Sequence, residues 1–154
     1  MLQAELKKIY LTQLEKLRKT DDGTYRDALA DIPDITTHAF VVCGVRRCGK
    51  STLLQQFVKK LNKPFFYLNF DDLRLLEFSV SDYAVLDAVI EESKSSLIFF
   101  DEIQAAAHWE LYVRQKLDQG FQVVLTGSNA SLLSRELGTK LTGRHIVKEL
   151  FPFS

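Results

Sequence analysis

His38-Ala39-Phe40-Val41-Val42-Cys43, followed without a break by Gly44-Val45-Arg46-Arg47-Cys48-Gly49-Lys50-Ser51-Thr52, decides the fold. The apolar run suits a strand buried on both faces of a parallel sheet. The stretch after it fits G-x-x-x-x-G-K-[ST]. Its glycines let the backbone wrap around phosphate groups with N–H groups pointing inward. From Ser51 a helix follows, with Leu53, Leu54, Phe57, Val58 and Leu61 as its buried stripe and Asn62 and Pro64 as its end. That helix adds the positive end of its dipole. In this reading Gly44 to Thr52 cradle the phosphates of a nucleotide. Lys50 reaches the β- and γ-phosphates, and Ser51 holds Mg²⁺. Arg46 and Arg47 contact either phosphate or solvent. Cys48 is either an oxidation-sensitive thiol or a small tolerated side chain.

Working outward, the same alternation recurs. Phe65 to Phe70, Leu97 to Phe100, Phe121 to Thr126 and Ile146 to Leu150 read as further strands. Between them, Ser81 caps a helix running through Glu92. A helix from Trp109 to Leu117 stops at Gly120, with Trp109, Tyr112 and Leu117 as core. At the start, Leu2, Leu6, Ile9, Tyr10, Leu14 and Leu17 share one helical face, which either docks on the sheet or meets a partner. Strands alternating with helices define an α/β domain with a parallel sheet. Residues 1–37 form an N-terminal helix and connection, and 38–154 the core. The close on Phe151-Pro152-Phe153-Ser154 raises the expectation of a core truncated before a C-terminal domain.

Composition bounds the function. The chain has 154 residues, enough for one domain with a real core. Lys+Arg and Asp+Glu both count 20, which argues against electrostatic coating of nucleic acid. Two cysteines, Cys43 and Cys48, make neither a disulfide framework nor a structural zinc site. With no signal peptide and no run of 18 apolar residues, a reduced, cytoplasmic setting is the simplest expectation.

Three more motifs bear on chemistry. Leu97-Ile98-Phe99-Phe100 runs into Asp101-Glu102, the shape of a Walker B strand. Asp101 is the candidate Mg²⁺ ligand and Glu102 the candidate group that polarises the attacking water. After Val123-Val124-Leu125-Thr126-Gly127, Ser128 or Asn129 either senses the γ-phosphate or caps a helix. Arg144, in Leu141-Thr142-Gly143-Arg144, is a finger supplied to a neighbouring subunit, a surface arginine, or an arginine tied to Glu149. Arg135 is the second candidate finger.

Taken in order, GVRRCGKSTLL, FFYLNFDD, LIFFDEIQ, VVLTGSNASLL and LTGRHIVKELFPFS resemble the AAA+ superfamily ATPases of prokaryotes, in particular the AAA domain of the family 14 type. The resemblance implies a three-layer P-loop NTPase with a five-stranded parallel sheet, order 5-1-4-3-2, and helices on both faces. It implies Lys50 and Ser51 on phosphate and Mg²⁺, Asp101 on Mg²⁺, Glu102 as catalytic glutamate, Asn129 as sensor and Arg144 as finger. The function expected is Mg²⁺-dependent ATP hydrolysis, with self-association supplying the finger. The alternative is a switch that binds ATP or ADP with little turnover and acts through a protein or DNA partner.

Overall fold

In a computed structural model of the chain, the apolar runs become strands of one parallel sheet. The structure describes residues 1–19, 39–44, 63–127 and 145–150. The elements are α1 (Gln3–Lys19), β1 (Ala39–Gly44), β2 (Phe65–Asn69), α2 (Tyr83–Ser93), β3 (Leu97–Asp101), α3 (Trp109–Asp118), β4 (Gln122–Gly127) and β5 (His145–Leu150). Their order across the sheet is β2-β3-β4-β1-β5. All four neighbouring pairs are parallel, with β5 placed by its backbone pairing to β1.

The register sorts side chains onto two faces. Phe66 pairs with Ile98, Leu68 with Phe100, Ile98 with Val123, and Phe100 with Leu125, so these share one face. Tyr67, Phe99, Asp101, Val124 and Thr126 alternate onto the other. Phe40, Phe66, Phe99, Phe100, Val123 and Val124 are all buried, so both faces of the sheet are covered.

The described helices lie on the first face. Tyr10 of α1 stacks on Phe66 with ring centroids 4.5 Å apart, and Tyr112 of α3 lies 6.2 Å from Phe100. Tyr83 of α2 stacks on Tyr112 at 4.4 Å. Handedness explains the shared face. The β2-to-β3 and β3-to-β4 crossovers both step the same way across the sheet, so right-handed connections put α2 and α3 on one side. Asp87 then ties the two helices together, accepting from Tyr112 Oη at 2.6 Å and pairing with the buried Lys116. The expected helix from Ser51, and with it the question of helices on the second face, falls outside the described residues.

Two helix boundaries differ from the sequence reading. α2 starts at Tyr83 because a 3₁₀ turn, Val80–Asp82, precedes it. Asp82 reaches back to accept the Ser79 N–H at 2.9 Å, while the Ser81 hydroxyl pairs with that of Ser79. α3 ends at Asp118, and Gly120 follows at φ +92°, a conformation that favours glycine. Leu2 stays exposed because it precedes the first turn of α1.

The N-terminal helix docks on the sheet. β2 is an edge strand, and Gln13 of α1 occupies the end of that edge. Its Nε2 donates to the Asn69 carbonyl at 3.0 Å, and its Oε1 accepts the Asn69 N–H at 2.8 Å. Backbone groups at an exposed edge otherwise invite pairing with another chain. Gln13 Nε2 also reaches Asp72 at 2.8 Å.

Gln13→Leu leaves these backbone groups without their partner, and unfolding in urea should show a loss of about 1–3 kcal/mol. A second prediction concerns acid. The Arg74 side chain, donating to Asp72, holds that carboxyl well below the usual carboxylate range, with Gln13 adding to the effect. The folded-state value lies below the unfolded one near 3.9, so the stabilisation is complete above about pH 5 and fades as pH falls through 4 and below. Asp72→Asn should flatten that acid limb in urea midpoints measured from pH 7 down to 3.

Candidate functional site

Parallel strands bring all their carboxyl ends to one rim of the sheet. The connection leaving β1 runs to β2 at one edge, while that leaving β4 passes β1 to reach β5 at the other. Adjacent strands with outgoing connections in opposite directions mark the switch point where open α/β sheets bind ligands. Gly44 ends β1 there, Cys43 pairs with Gly127 of β4, and Asp101 ends β3 one strand further on.

Asp101 is buried at this rim and held from both neighbouring strands. Tyr67 Oη, on β2, donates to its Oδ2 at 2.9 Å. The Thr126 hydroxyl, on β4, donates to its Oδ1. Register explains the convergence, since Tyr67 and Thr126 point to the same face as Asp101 from the flanking strands. Burial, then the charge and hydrogen bond of Asp101, push the Tyr67 phenol far above its ordinary value, so it acts only as a donor.

The same Thr126 oxygen accepts the backbone N–H of Glu102 at 2.8 Å. Glu102 needs that support. Its backbone is left-handed, φ 53° and ψ 50°, a conformation that costs a non-glycine residue about 1–2 kcal/mol. Strain of this kind persists where the surroundings over-determine it. The 3₁₀ turn Ile103–Ala105 follows, and Gln104 Nε2 donates back to Glu102 Oε2 at 2.7 Å. The result is two acids in sequence, both largely removed from water, each accepting from neutral donors among the described residues.

Of the sequence-predicted site residues, the structure brings Asp101 and Glu102 together and gives the backbone of Gly44. Val45, Arg46, Arg47, Cys48, Gly49, Lys50, Ser51 and Thr52 lie outside the described residues, as do Ser128, Asn129, Arg135 and Arg144. Three residues that the motifs passed over belong to the site, namely Tyr67, Thr126 and Gln104. The first two carried a signal: each is a hydroxyl residue in an apolar strand run, and buried polar groups find partners. Among the described residues no cluster of three or more His, Cys, Asp or Glu is placed to hold a metal ion, and no helix is long and apolar enough to cross a membrane.

A parallel α/β sheet with an acid pair on the rim beside its switch point defines the class of ligand-binding α/β domains, and comparison with known proteins narrows it. A family model described as AAA domain matches residues 36–154. A protein of Methanocaldococcus jannaschii named as uncharacterized protein MJ1544 is 38% identical over 116 residues, covering 74% of this chain and 26% of the relative. An uncharacterized protein of Haemophilus influenzae is 37% identical over 127 residues, covering 74% of this chain and 31% of the relative. A crystal structure titled as a DNA replication initiation factor superposes with a TM-score of 0.51 at 16% identity, over 93% of this chain and 46% of that one, a likeness of fold. The chain belongs to the AAA domain family of the AAA+ P-loop ATPases. It spans about a quarter to a third of the length of these two relatives.

Thr126→Val removes the donor to Asp101 and the acceptor for Glu102 N–H in one step. The expected loss in urea unfolding is about 2–4 kcal/mol, two buried hydrogen bonds being lost together. Thr126→Ser keeps the hydroxyl and should lose less than about half of that.

Proposed function

We propose that the chain binds ATP with Mg²⁺ at the carboxyl rim of the sheet and hydrolyses it. The observation that carries this reading is the oriented acid pair Asp101-Glu102, held by Tyr67, Thr126 and Gln104 one strand from the end of β1. Family membership supports it.

The residues present suit the ion. Asp101 offers one carboxylate set among hydroxyl oxygens, and the described part of the site has no thiolate or imidazole cluster. Mg²⁺ takes hard oxygen ligands, with one or two carboxylates completed by water and substrate phosphate. Asp101 and Ser51 would hold it. When bound, Mg²⁺ would supply positive charge that offsets the charge of the phosphates.

The protein residues divide the remaining work. The backbone from Gly44 to Thr52 cradles phosphate, and Lys50 offsets charge on the β- and γ-phosphates. Glu102 orients a water molecule and takes its proton, acting from a fixed backbone. Asn129 senses the γ-phosphate, and Arg144 serves a neighbouring copy as a finger. Catalysis is then positioning plus electrostatic stabilisation, the usual means of phosphoryl transfer.

Hydrolysis by the chain with Mg²⁺, followed against protein concentration, tests this reading. Lys50→Ala should abolish nucleotide binding. Glu102→Gln should retain binding and lower turnover by about 10²–10⁴-fold. Unchanged turnover in Glu102→Gln would remove the assigned role. A rate per chain that rises with concentration and is lost in Arg144→Ala would establish the finger.

A further inference from the structure

Apolar side chains crowd one part of the surface. Among the described residues the two most exposed large ones are Leu73 and Leu76, at 84% and 76%, and Val80 and Leu111 follow at 55% and 49%. Leu73 and Leu76 lie three apart on a 3₁₀ turn, where such residues share one side. The Leu76 N–H closes that turn on the Leu73 carbonyl at 3.2 Å. The turn is anchored from below. Leu75 and Phe78 are buried, and the Phe78 ring meets Phe70 and Tyr83 edge to face at 5.3 and 5.0 Å. The two leucines are therefore held outward as a ridge.

Four residues after Leu76, Val80 opens a groove of about 370 Å³ between the start of α2 and the start of α3. Val80 and Leu111 are its exposed walls, and the stacked rings of Tyr83 and Tyr112 are its buried floor. His108 and Gln115 complete the lining. Both floor hydroxyls are engaged elsewhere. Tyr83 Oη donates to the Ala107 carbonyl at 2.7 Å, and Tyr112 Oη to Asp87 at 2.6 Å. The floor thus offers ring carbon, which suits an aliphatic side chain.

Charge flanks the groove on both sides. Glu77 stands between Leu76 and Val80, on the ridge side. Arg114 lies three residues on from Leu111, and helical geometry puts it on the far side of Leu111 from Tyr112. Both are exposed, and neither forms an ion pair among the described residues. A patch with a ridge, a groove, an acid on one flank and a base on the other is complementary to itself after a two-fold rotation. A closed pair of identical chains requires that property, because the same patch meets its own copy.

We propose that this patch is a two-fold contact with a second copy of the chain. Leu73 and Leu76 of each copy enter the groove of the other between Val80 and Leu111. Glu77 of each copy meets Arg114 of the other at the rim. Contiguous exposed apolar surface rimmed by polar residues marks contacts of this kind. The contact uses other residues than the finger assigned to Arg144, and it does not rest on the hydrolytic reading.

Sedimentation of the chain without nucleotide, from about 1 to 200 µM, tests this, so the outcome does not depend on whether ATP is hydrolysed. The mass should rise with concentration from 17.6 kDa toward twice that value. Leu76→Lys should raise the dimer dissociation constant about 10–100-fold, since an unpaired ammonium would enter the groove. Leu111→Lys, on the groove wall, serves as the second variant should the first disturb the turn. Glu77→Arg and Arg114→Glu should each weaken the dimer about 3–10-fold by bringing like charges together. The double variant restores opposite charges and should return to within about threefold of the unaltered chain. A mass of 17.6 kDa throughout overturns the proposal and leaves the patch to another segment or another partner. A dimer that both lysine variants leave intact overturns it too, as does one that the double charge reversal fails to restore.

Discussion

One hydroxyl holds the rim of the sheet in order. Thr126 Oγ1 donates to Asp101 on the neighbouring strand and accepts from the backbone of Glu102, with no exposure to water. A hydroxyl has one proton and two acceptor lone pairs, and both functions are used here. In a medium of low polarity such bonds are strong, and their loss is correspondingly costly. The arrangement also fixes a chain direction. Glu102 leaves β3 in a left-handed conformation that its side chain disfavours, and the bond to Thr126 compensates. It acts together with the bond from the Ala105 N–H to the Glu102 carbonyl to hold the backbone between Asp101 and the following turn.

A bond of this kind works only if the two strands cannot slip. The core supplies that rigidity. Tyr10, Phe66, Phe100, Tyr112 and Tyr83 form a continuous chain of ring contacts from α1 through the sheet to α3 and α2. Phe70 and Phe78 extend it beneath the loop after β2. Aromatic pairs of this geometry contribute about 0.5–1.5 kcal/mol each beyond the area they bury. On the second face, Tyr67 uses its ring against Phe99, 5.0 Å away, and its hydroxyl against Asp101. One residue thus couples core packing to the orientation of Asp101. Slippage by a single residue would send every one of these groups to the wrong face.

How much of this was legible beforehand depends on whether a feature is local. The strand runs at Phe65, Leu97 and Val123 were legible because both-face burial leaves unbroken apolar stretches. Asp101 and Glu102 stood out as acids at the end of such a run. The core role of Trp109, Tyr112 and Leu117 followed from helical spacing, and all three are buried. The convergence of Tyr67 and Thr126 on Asp101 was not legible. It depends on register between β2, β3 and β4, which no spacing within one strand encodes. Gln13 escaped for a similar reason, since a glutamine on a helix face gives no sign that it will pair with a strand edge 56 residues away. The left-handed Glu102 was invisible because the residue type argues against it.

The end of β3 gathers several costs within a few residues. Two adjacent buried acids, a left-handed glutamate and an unpartnered buried carbonyl all lie within four residues, Asp101 to Gln104. The strained backbone and the lone carbonyl each cost on the order of 1–3 kcal/mol, against a typical net stability of about 5–15. Sequence could remove much of this. A glycine after Asp101 would adopt the same backbone without strain, and a leucine at 104 would need no hydrogen bond. Those substitutions would also delete the carboxylate and the amide whose placement the network of Tyr67, Thr126 and the turn secures. Costs gathered at one rim of the sheet, while the described core beneath it satisfies its polar atoms, fit the reading proposed for that rim, since local rules are broken most often at functional sites.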